Sequence, residues 1–431
     1  MPFRFFYILF IFCALPLIAQ NSHLKVNQNR LEQRIFDLAK FGLQSNGETE
    51  RVAFSNADVE ARNWVIQILQ EQGLEVSIDF AGNIIGLRKG ENKNARPISF
   101  GSHIDRVPNG GNYDGCVGSM AALEIIEILN EHKIKTKHPL EVIIFSNEEG
   151  GVMGSRAMSG HLGKGAFKVV NSTGFSMGEG IMRLGGDTTR IAEVVREENS
   201  MAAFLELHIE QGGILEKEKT AIGIVEGIVG LKWWDVVFTG FANHAGTTPM
   251  NSRQDALLAA AQFVIAVNEI TNSFEGAQVG TVGRIKAEPG APNVIPGRVV
   301  ASLEIRDLSA EVIQKVYHAI TDKAEEIAKT SQVTIEFIPL DTTADPALTA
   351  PEIQKEIELA TSKLGLSHKY MPSGAGHDAQ DMATIAPTGM IFVPSKGGIS
   401  HSPKEFTSAE DMANGANVLL QTILALDEKL D

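Results

Sequence analysis

The sequence predicts an α/β protein with a central, mostly parallel sheet and an inserted ferredoxin-like α+β unit. Three observations lead there. Short apolar runs alternate with longer stretches of helical period through the first half of the chain, the pattern of strands joined by crossover helices. After about residue 228 the order becomes β-α-β-β-α-β, the ferredoxin-like succession. The first pattern then resumes to the C-terminus. A chain of 431 residues is long enough for two or three domains at ~150 residues each.

Each element has a local cause. Ser55 or Asn56 can cap a helix to about Gln72, with Val59, Val65, Ile68 and Leu69 on one face and Gly73 as its stop. Leu74–Phe80 and Ile84–Arg88 read as a hairpin around Ala81-Gly82-Asn83. Pro97–Gly101 is a short strand entering Ser102-His103-Ile104-Asp105. A Gly/Asn-rich loop follows, then a helix carrying Met120, Leu123, Ile126 and Leu129. Leu140–Ser146 and Phe204–Leu207 are apolar runs broken by one glutamate each, Glu141 and Glu206, and read as strands buried on both faces. In the insert, Lys232–Thr239, Gln278–Ala287, Val299–Asp307 and Val333–Pro339 read as strands. Asp255–Ile270 and a helix capped by Ser309 lie between them. A helix from Pro351, a strand at Met390–Pro394 and a helix capped by Ser408 close the chain. The expected division is 20–228 and 338–431 for one domain and 229–337 for the insert.

Composition removes several function classes. Apolar residues make up 43% and charged residues 21%, so a large core is available and a disordered chain is excluded. The net charge of −15, with no Lys/Arg run, argues against binding a phosphate backbone, so no nucleic-acid partner is expected. Two cysteines, Cys13 and Cys116, exclude a disulfide scaffold and a cysteine-rich zinc module. Residues 1–19 read as a secretory signal peptide: Arg4, the apolar run Phe5–Leu15, and small Ala19 before Gln20. The protein is therefore expected to be exported, periplasmic or secreted, with no stable membrane insertion once the signal is removed.

Any metal must be held by His, Asp and Glu. His103, Glu148 with Glu149, and His208 each sit at or just beyond the C-terminal end of an expected strand, and His401 follows another after a Gly-rich loop. Open α/β sheets bind ligands there. Asp114, in the loop after His103, can reach the same crevice. Two or three His with two or three carboxylates and no thiol suit zinc, manganese or cobalt better than calcium. Singly, each residue has a plainer reading: a hydrogen-bonded histidine, a solvated Glu-Glu turn, or Asp-Gly as a turn former.

The motifs go further than the positions. Gly101-Ser102-His103-Ile104-Asp105, Tyr113-Asp114-Gly115, Asn147-Glu148-Glu149-Gly150 and His208-Ile209-Glu210-Gln211-Gly212 resemble the M20 metallopeptidase superfamily. His244-Ala245-Gly246-Thr247-Thr248-Pro249-Met250, Asn293-Val294-Ile295-Pro296, Arg306-Asp307 and Gly376-His377-Asp378-Ala379 are similar to its hydantoinase/carbamoylase branch. That branch contains N-carbamoyl-L-amino-acid hydrolases, allantoate amidohydrolases and β-ureidopropionases.

The resemblance implies a zinc-peptidase-like catalytic domain, with the insert as a lid that pairs with a second subunit. It implies two divalent metal ions per subunit (zinc, manganese or cobalt). His103, Asp114 and His208 would hold one, and Asp114, Glu149 and His401 the other. Asp105 would orient His103, and Glu148 would be the general base. Gln211, His244, Asn293, Arg306, Gly374 and His377 would meet a small carboxylate-bearing substrate, with His244 reaching the partner's site to steady an oxyanion. The expected activity is hydrolysis of a linear amide or ureido C–N bond, foremost of an N-carbamoyl-L-amino acid. The alternatives are allantoate, a dipeptidase or aminoacylase of the same superfamily, and a binding protein with a dead metal site.

Two departures from the family pattern bear on the pocket. The run Gly150-Gly151-Val152-Met153-Gly154-Ser155 after Glu149 is shorter than usual, and Trp233 stands where the allantoate branch tends to carry arginine.

Overall fold

Strands buried on both faces form the centre of the molecule. The computed structural model describes residues 24–45, 49–340 and 344–430. The expected signal peptide and Cys13 lie outside the described residues. No helix among those described is long and apolar enough to cross a membrane.

The first part of the chain supplies β1 (Glu75–Ile78), β2 (Ile84–Arg88), β3 (Ile98–His103), β4 (Leu140–Phe145), β5 (Ala203–Ile209) and β6 (Ile222–Ile228). The insert supplies β7 (Gly230–Thr239), β8 (Asn243–His244), β9 (Val279–Thr281), β10 (Ile285–Glu288), β11 (Val294–Ile295), β12 (Arg298–Asp307) and β13 (Thr334–Pro339). β14 (Ala347–Leu348), β15 (His368–Ser373) and β16 (Thr388–Val393) return to the first sheet.

That sheet runs β1-β2-β4-β3-β5-β16-β6-β14, with β15 also on β6. Its centre, β4-β3-β5-β16, is parallel, and every residue of those four strands is buried. The flanks are antiparallel: β2 against β4, and β6 against β16. The sheet is thus more mixed than the strand-helix alternation implied. Alternation reports crossovers, and β6 enters after only the short helix Ile214–Glu218.

From β3 the chain turns one way to β4, and β5 then lies on the other side of β3. This reversal is a topological switch point. β3 and β5 hydrogen-bond only from Ile98/Ala203 to Phe100/Leu205, so their C-terminal ends stand apart. The helix Cys116–Glu131, almost wholly buried, packs against both strands.

The second sheet is antiparallel, in the order β10-β12-β7-β13 with β9 on β12. Reading β9 with β10 as one interrupted strand, the order is that of a ferredoxin-like sheet. Gln278–Ala287 appears as two strands because the register with β12 slips by one residue between Thr281↔Glu304 and Ile285↔Ala301. The helices Ala256–Ser273 and Ala310–Ser331, capped by Asp255 and Ser309, cover one face. Trp234, Val236, Phe238, Phe263, Leu303 and Ile320 build a core separate from that of the first sheet. Trp234 stacks on Tyr317 with ring centroids 4.5 Å apart.

The N-terminal helix Gln28–Ala39 is pinned by charge. Glu124, fully buried, accepts the Asn27 amide at 2.9 Å, the Arg30 Nε at 2.7 Å and the Arg34 Nη1 at 2.6 Å. Removing one side of a buried pair leaves the other charge uncompensated. Glu124→Ala should therefore lower unfolding free energy by about 3–5 kcal/mol, read by denaturant titration. A loss under 1 kcal/mol would show that Glu127, which Arg34 already meets at 3.0 Å, and water suffice to compensate it.

Candidate active site

The site grows from the splayed ends of β3 and β5. His103 ends β3 and His208 lies one residue from the end of β5, with ring centroids 5.9 Å apart. A carbonyl oxygen only accepts, so the Nδ1 of His103 donates to Asp105 O at 3.1 Å, and that of His208 to Ile209 O at 2.9 Å. Both rings therefore turn an Nε2 lone pair into the same pocket, the tautomer that binds metal. The His208 Nε2 accepts the Gly115 amide at 3.1 Å, and the buried His103 Nε2 has no hydrogen-bond partner.

Asp114 lies between the rings. Its Oδ1 is 3.1 Å from His208 Nε2 and 3.7 Å from His103 Nε2. Its Oδ2 faces His401 Nε2 at 3.4 Å, and that nitrogen is 3.3 Å from Glu149 Oε2. Three groups of candidate ligating atoms meet here, and two of them share one carboxylate: His103, Asp114, His208 and Asp114, Glu149, His401; the third, Glu206, His208 and His377, adds a buried glutamate that carried no signal in sequence. Glu148 stays outside all three, with Oε2 3.5 Å from His103 Nε2. Asp105 holds His103 through its backbone carbonyl rather than its carboxylate, which lies 3.7 Å from Nδ1. The carboxylate instead accepts the amides of Glu148 and Glu149, each at 3.2 Å, and so shapes the Glu-Glu turn. The shortened loop after Glu149 closes by tight bonds to Glu148 O, from Gly151 at 2.9 Å and Val152 at 2.7 Å. Val152, Asn147, Gln211 and His401 all take left-handed backbone angles here, an arrangement that strained functional loops show.

Electrostatics describe a pocket short of positive charge. Burial opposes ionisation of Asp114, yet His208, His103 and His401 hold its carboxyl well below the usual range. Burial pushes Glu148 well above it, with only partial relief from His103. His401 is pushed up to about 10 by hydrogen bonds to Asp114 and Glu149. Burial also raises Asp105 to about 6. Ring protons and a divalent cation compete for the same lone pairs. The orphaned His103 Nε2 and the mixed His/carboxylate donor set fit such a cation.

The other candidates divide by location. Gln211 meets the centre directly, with Nε2 donating to Asp114 Oδ2 at 2.6 Å. His377 is buried behind His208, with ring centroids 4.4 Å apart, and bonds Ser373 Oγ at 2.9 Å. Burial, then His208, hold His377 well below its ordinary pKa. On the insert, Arg306 donates to Gly374 O at 2.7 Å and forks onto Glu304 at 2.7 and 3.2 Å. His244 and Asn293 come together where β8 pairs β11, and Ala245 donates to Asn293 O at 3.0 Å. His244 is exposed, and among the described residues its hydrogen bonds fall within residues 243–248. Gly246 and Thr247 amides both donate to its Nδ1 at 3.1 Å, so the ring carries its proton on Nε2, facing outward. Trp233 half-lines a cleft of about 270 Å³ on the insert, with its indole nitrogen buried and unpartnered.

Two further residues of the site carried no signal in sequence. Ser400 Oγ lies 2.8 Å from Asp114 Oδ2, and Glu405 accepts the Tyr113 and Asp114 amides at 2.8 and 3.0 Å. Both lie nearly three hundred residues from Asp114, and only the preceding His401 pointed to their loop.

Fold and site together define a hydrolase of the metal-dependent α/β class with an inserted second domain. The chain belongs to Peptidase family M20/M25/M40, whose model matches residues 99–425. It is 41% identical over 406 residues to the N-carbamoyl-L-amino acid amidohydrolase of Geobacillus stearothermophilus, covering 93% of this chain and 99% of that one. It is 38% identical over 418 residues to the ureidoglycolate hydrolase of Arabidopsis thaliana, covering 94% and 88%. The crystal structure of a hydantoinase/carbamoylase family amidase from Burkholderia multivorans superposes with a TM-score of 0.88 at 35% identity, over 95% of this chain and 100% of that one.

Gly115 supplies a test of the pocket. Its φ is +62°, and a Cβ there would lie 2.3 Å from His103 Nε2. Gly115→Ala should keep its circular dichroism and lose divalent-metal binding by calorimetry. Unchanged metal affinity would remove His103 Nε2 from the site.

Proposed function

We propose that this chain hydrolyses the ureido C–N bond of an N-carbamoyl-L-amino acid, with two divalent ions (zinc, manganese or cobalt) in the groups that share Asp114. The observation that carries the substrate class is Gln211. Asp114 Oδ2 is an acceptor, so the amide nitrogen of Gln211 faces it at 2.6 Å. That leaves Oε1 buried and without a partner. A buried orphan acceptor fits a substrate N–H and repels a carboxylate. A terminal ureido group offers N–H donors beside the scissile carbonyl.

Bound divalent ions supply Lewis-acid polarisation and a more acidic water. The chain's own residues do the rest. Glu148 lies outside both ligand groups, and burial raises its affinity for a proton, so its ionised form, favoured beside bound cations, would be a strong base. It takes the proton as the water oxygen bonds to the carbonyl carbon, and gives it to the departing nitrogen as the C–N bond breaks. An Nε2–H of His244 donates to the oxygen that becomes negative. Arg306 is the fork for the substrate carboxylate, which must displace Glu304 from it. The likeness to a ureidoglycolate hydrolase and to an allantoate amidohydrolase favours a second reading, a related ureido acid such as allantoate. Export by the N-terminal segment would make this a scavenging enzyme outside the cytoplasm.

The deciding experiment gives purified protein N-carbamoyl-L-amino acids, allantoate and dipeptides, with manganese, zinc and cobalt in turn. Carbamoyl amino acids should turn over best, and Glu148→Gln should cost roughly 10²–10⁴-fold in kcat while keeping the metals. Preference for dipeptides would defeat the substrate reading. Near-normal kcat in Glu148→Gln would defeat the base.

His244 is exposed and, among the described residues, hydrogen-bonded within its own segment, which supports its acting in a partner's site across a two-fold axis. Inactive His244→Ala and Glu148→Gln chains, refolded together, should then recover up to about a quarter of native activity, because half of random dimers are mixed and each holds one complete site. No recovery in verified mixed dimers would return His244 to its own chain or remove it from catalysis.

A further inference from the structure

We infer that Glu405 is a positioning residue that ties the loop of Asp114 to the loop of His401, and that the group Asp114, Glu149 and His401 holds its ion only while this tie is intact. The inference rests on the reading of two ions sharing Asp114.

Glu405 is 5% exposed and makes three contacts. Its Oε1 accepts two consecutive amides, Tyr113 at 2.8 Å and Asp114 at 3.0 Å. Its Oε2 meets Ser400 Oγ at 2.8 Å, and the same hydroxyl lies 2.8 Å from Asp114 Oδ2. One carboxylate thus fixes the backbone of Asp114, and its Oε2 shares the single proton of the Ser400 hydroxyl with the oxygen of Asp114 that faces His401. The cradle is tight. A Cβ at Gly111 would fall 2.2 Å from Glu405 Oε1. Beside it, Tyr113 packs edge-on to Phe406 with ring centroids 5.6 Å apart.

The dependence should be unequal between the two groups. His103 and His208 sit at strand ends, each locked by a bond from Nδ1 to a backbone carbonyl. Neither bond involves Glu405. Glu149 is held by Asp105 and Val107. His401 has no such anchor: its ring is half-exposed, its backbone is left-handed, and its ring meets Asp114 and Glu149. Its distance from Asp114 is set by the segment Ser400–Glu405. Loss of the tie loosens Asp114 for both groups, but one keeps two anchored ligands, His103 and His208, and the other only Glu149, so the second ion is the one lost first.

The test counts ions. Manganese per chain is measured by metal analysis after desalting, and affinity by calorimetry, with circular dichroism as the check of folding. Wild type should hold two ions. Glu405→Ala should keep one and bind the second about 10–100-fold more weakly, as loss of an outer partner does. Glu405→Gln should hold both: its amide oxygen still accepts from Tyr113 and Asp114, and its N–H donates to Ser400, freeing the hydroxyl proton for Asp114. Gly111→Ala, which crowds Glu405 without removing it, should match Glu405→Ala, and it carries the test if Glu405→Ala does not fold. Two ions at wild-type affinity in folded Glu405→Ala or Gly111→Ala would overturn the inference and leave the two-ion reading standing. Equal loss of both ions from a folded variant would also overturn it. Fewer than two ions in wild type would sink the two-ion reading, and the inference with it.

Discussion

Buried negative charge is the constraint on which the rest of the site depends. Asp105, Asp114 and Glu148 are buried together at the C-terminal edge of the sheet, with Glu149 and Glu405 beside them. Buried carboxylates must be paired, hydrogen-bonded or neutralised. The chain uses all three routes, and the division assigns roles. Asp105 and Glu405 are tied up by backbone amides and hold loops in place. Asp114 and Glu149 face imidazole nitrogens. Glu148 has neither an amide nor a place in a ligand group, and burial favours a proton on it. Under the proposed function, that leaves it free to take and return a proton.

The sheet makes this crowding possible without distorting the core. β3 and β5 hydrogen-bond over their first halves and then separate, so the edge that bears His103 and His208 opens without breaking a buried ladder. The start of the helix Cys116–Glu131 fills the gap, with Gly118 close against Leu207 of β5 and Gly115 sending its amide to His208. Rigid strands aim two histidines, and loops bring the remaining ligands to them. The left-handed residues Asn147, Val152, Gln211 and His401 all lie on those loops. Strain is thus confined to segments whose ends are anchored in strands or helices.

Legibility in the sequence followed the same division. Apolar periodicity marked the four central strands, and the capping residues Ser55, Asp255, Ser309 and Ser408 mark helix starts in the structure. Periodicity does not encode strand direction, so the antiparallel placement of β6 against β16 was not legible. The helix Gln28–Ala39 also gave no clear reading, because its anchor, Glu124, is nearly a hundred residues away. In the site, motif residues at strand ends were legible because each motif is local. Ser400 and Glu405 were not, because their role exists only once residue 114 has come beside residue 400. Asp105 shows the converse: the motif pointed to the right residue, but only coordinates separate its carbonyl from its carboxylate.

The polar groups of the insert are held in place from one side: His244 through its Nδ1 and Arg306 through Gly374 and Glu304. Two backbone amides hold the His244 Nδ1, so its Nε2–H faces outward as a fixed donor. A neutral donor whose direction is set by backbone reorganises little as charge develops on a substrate oxygen, which is the condition for electrostatic stabilisation. Arg306 is the counterpart on the same unit. It spans from β12 to Gly374 while Glu304 fills its fork. Under the proposed function, a substrate carboxylate that displaced Glu304 would leave the Gly374 contact intact, so the same side chain would hold both the insert and the substrate.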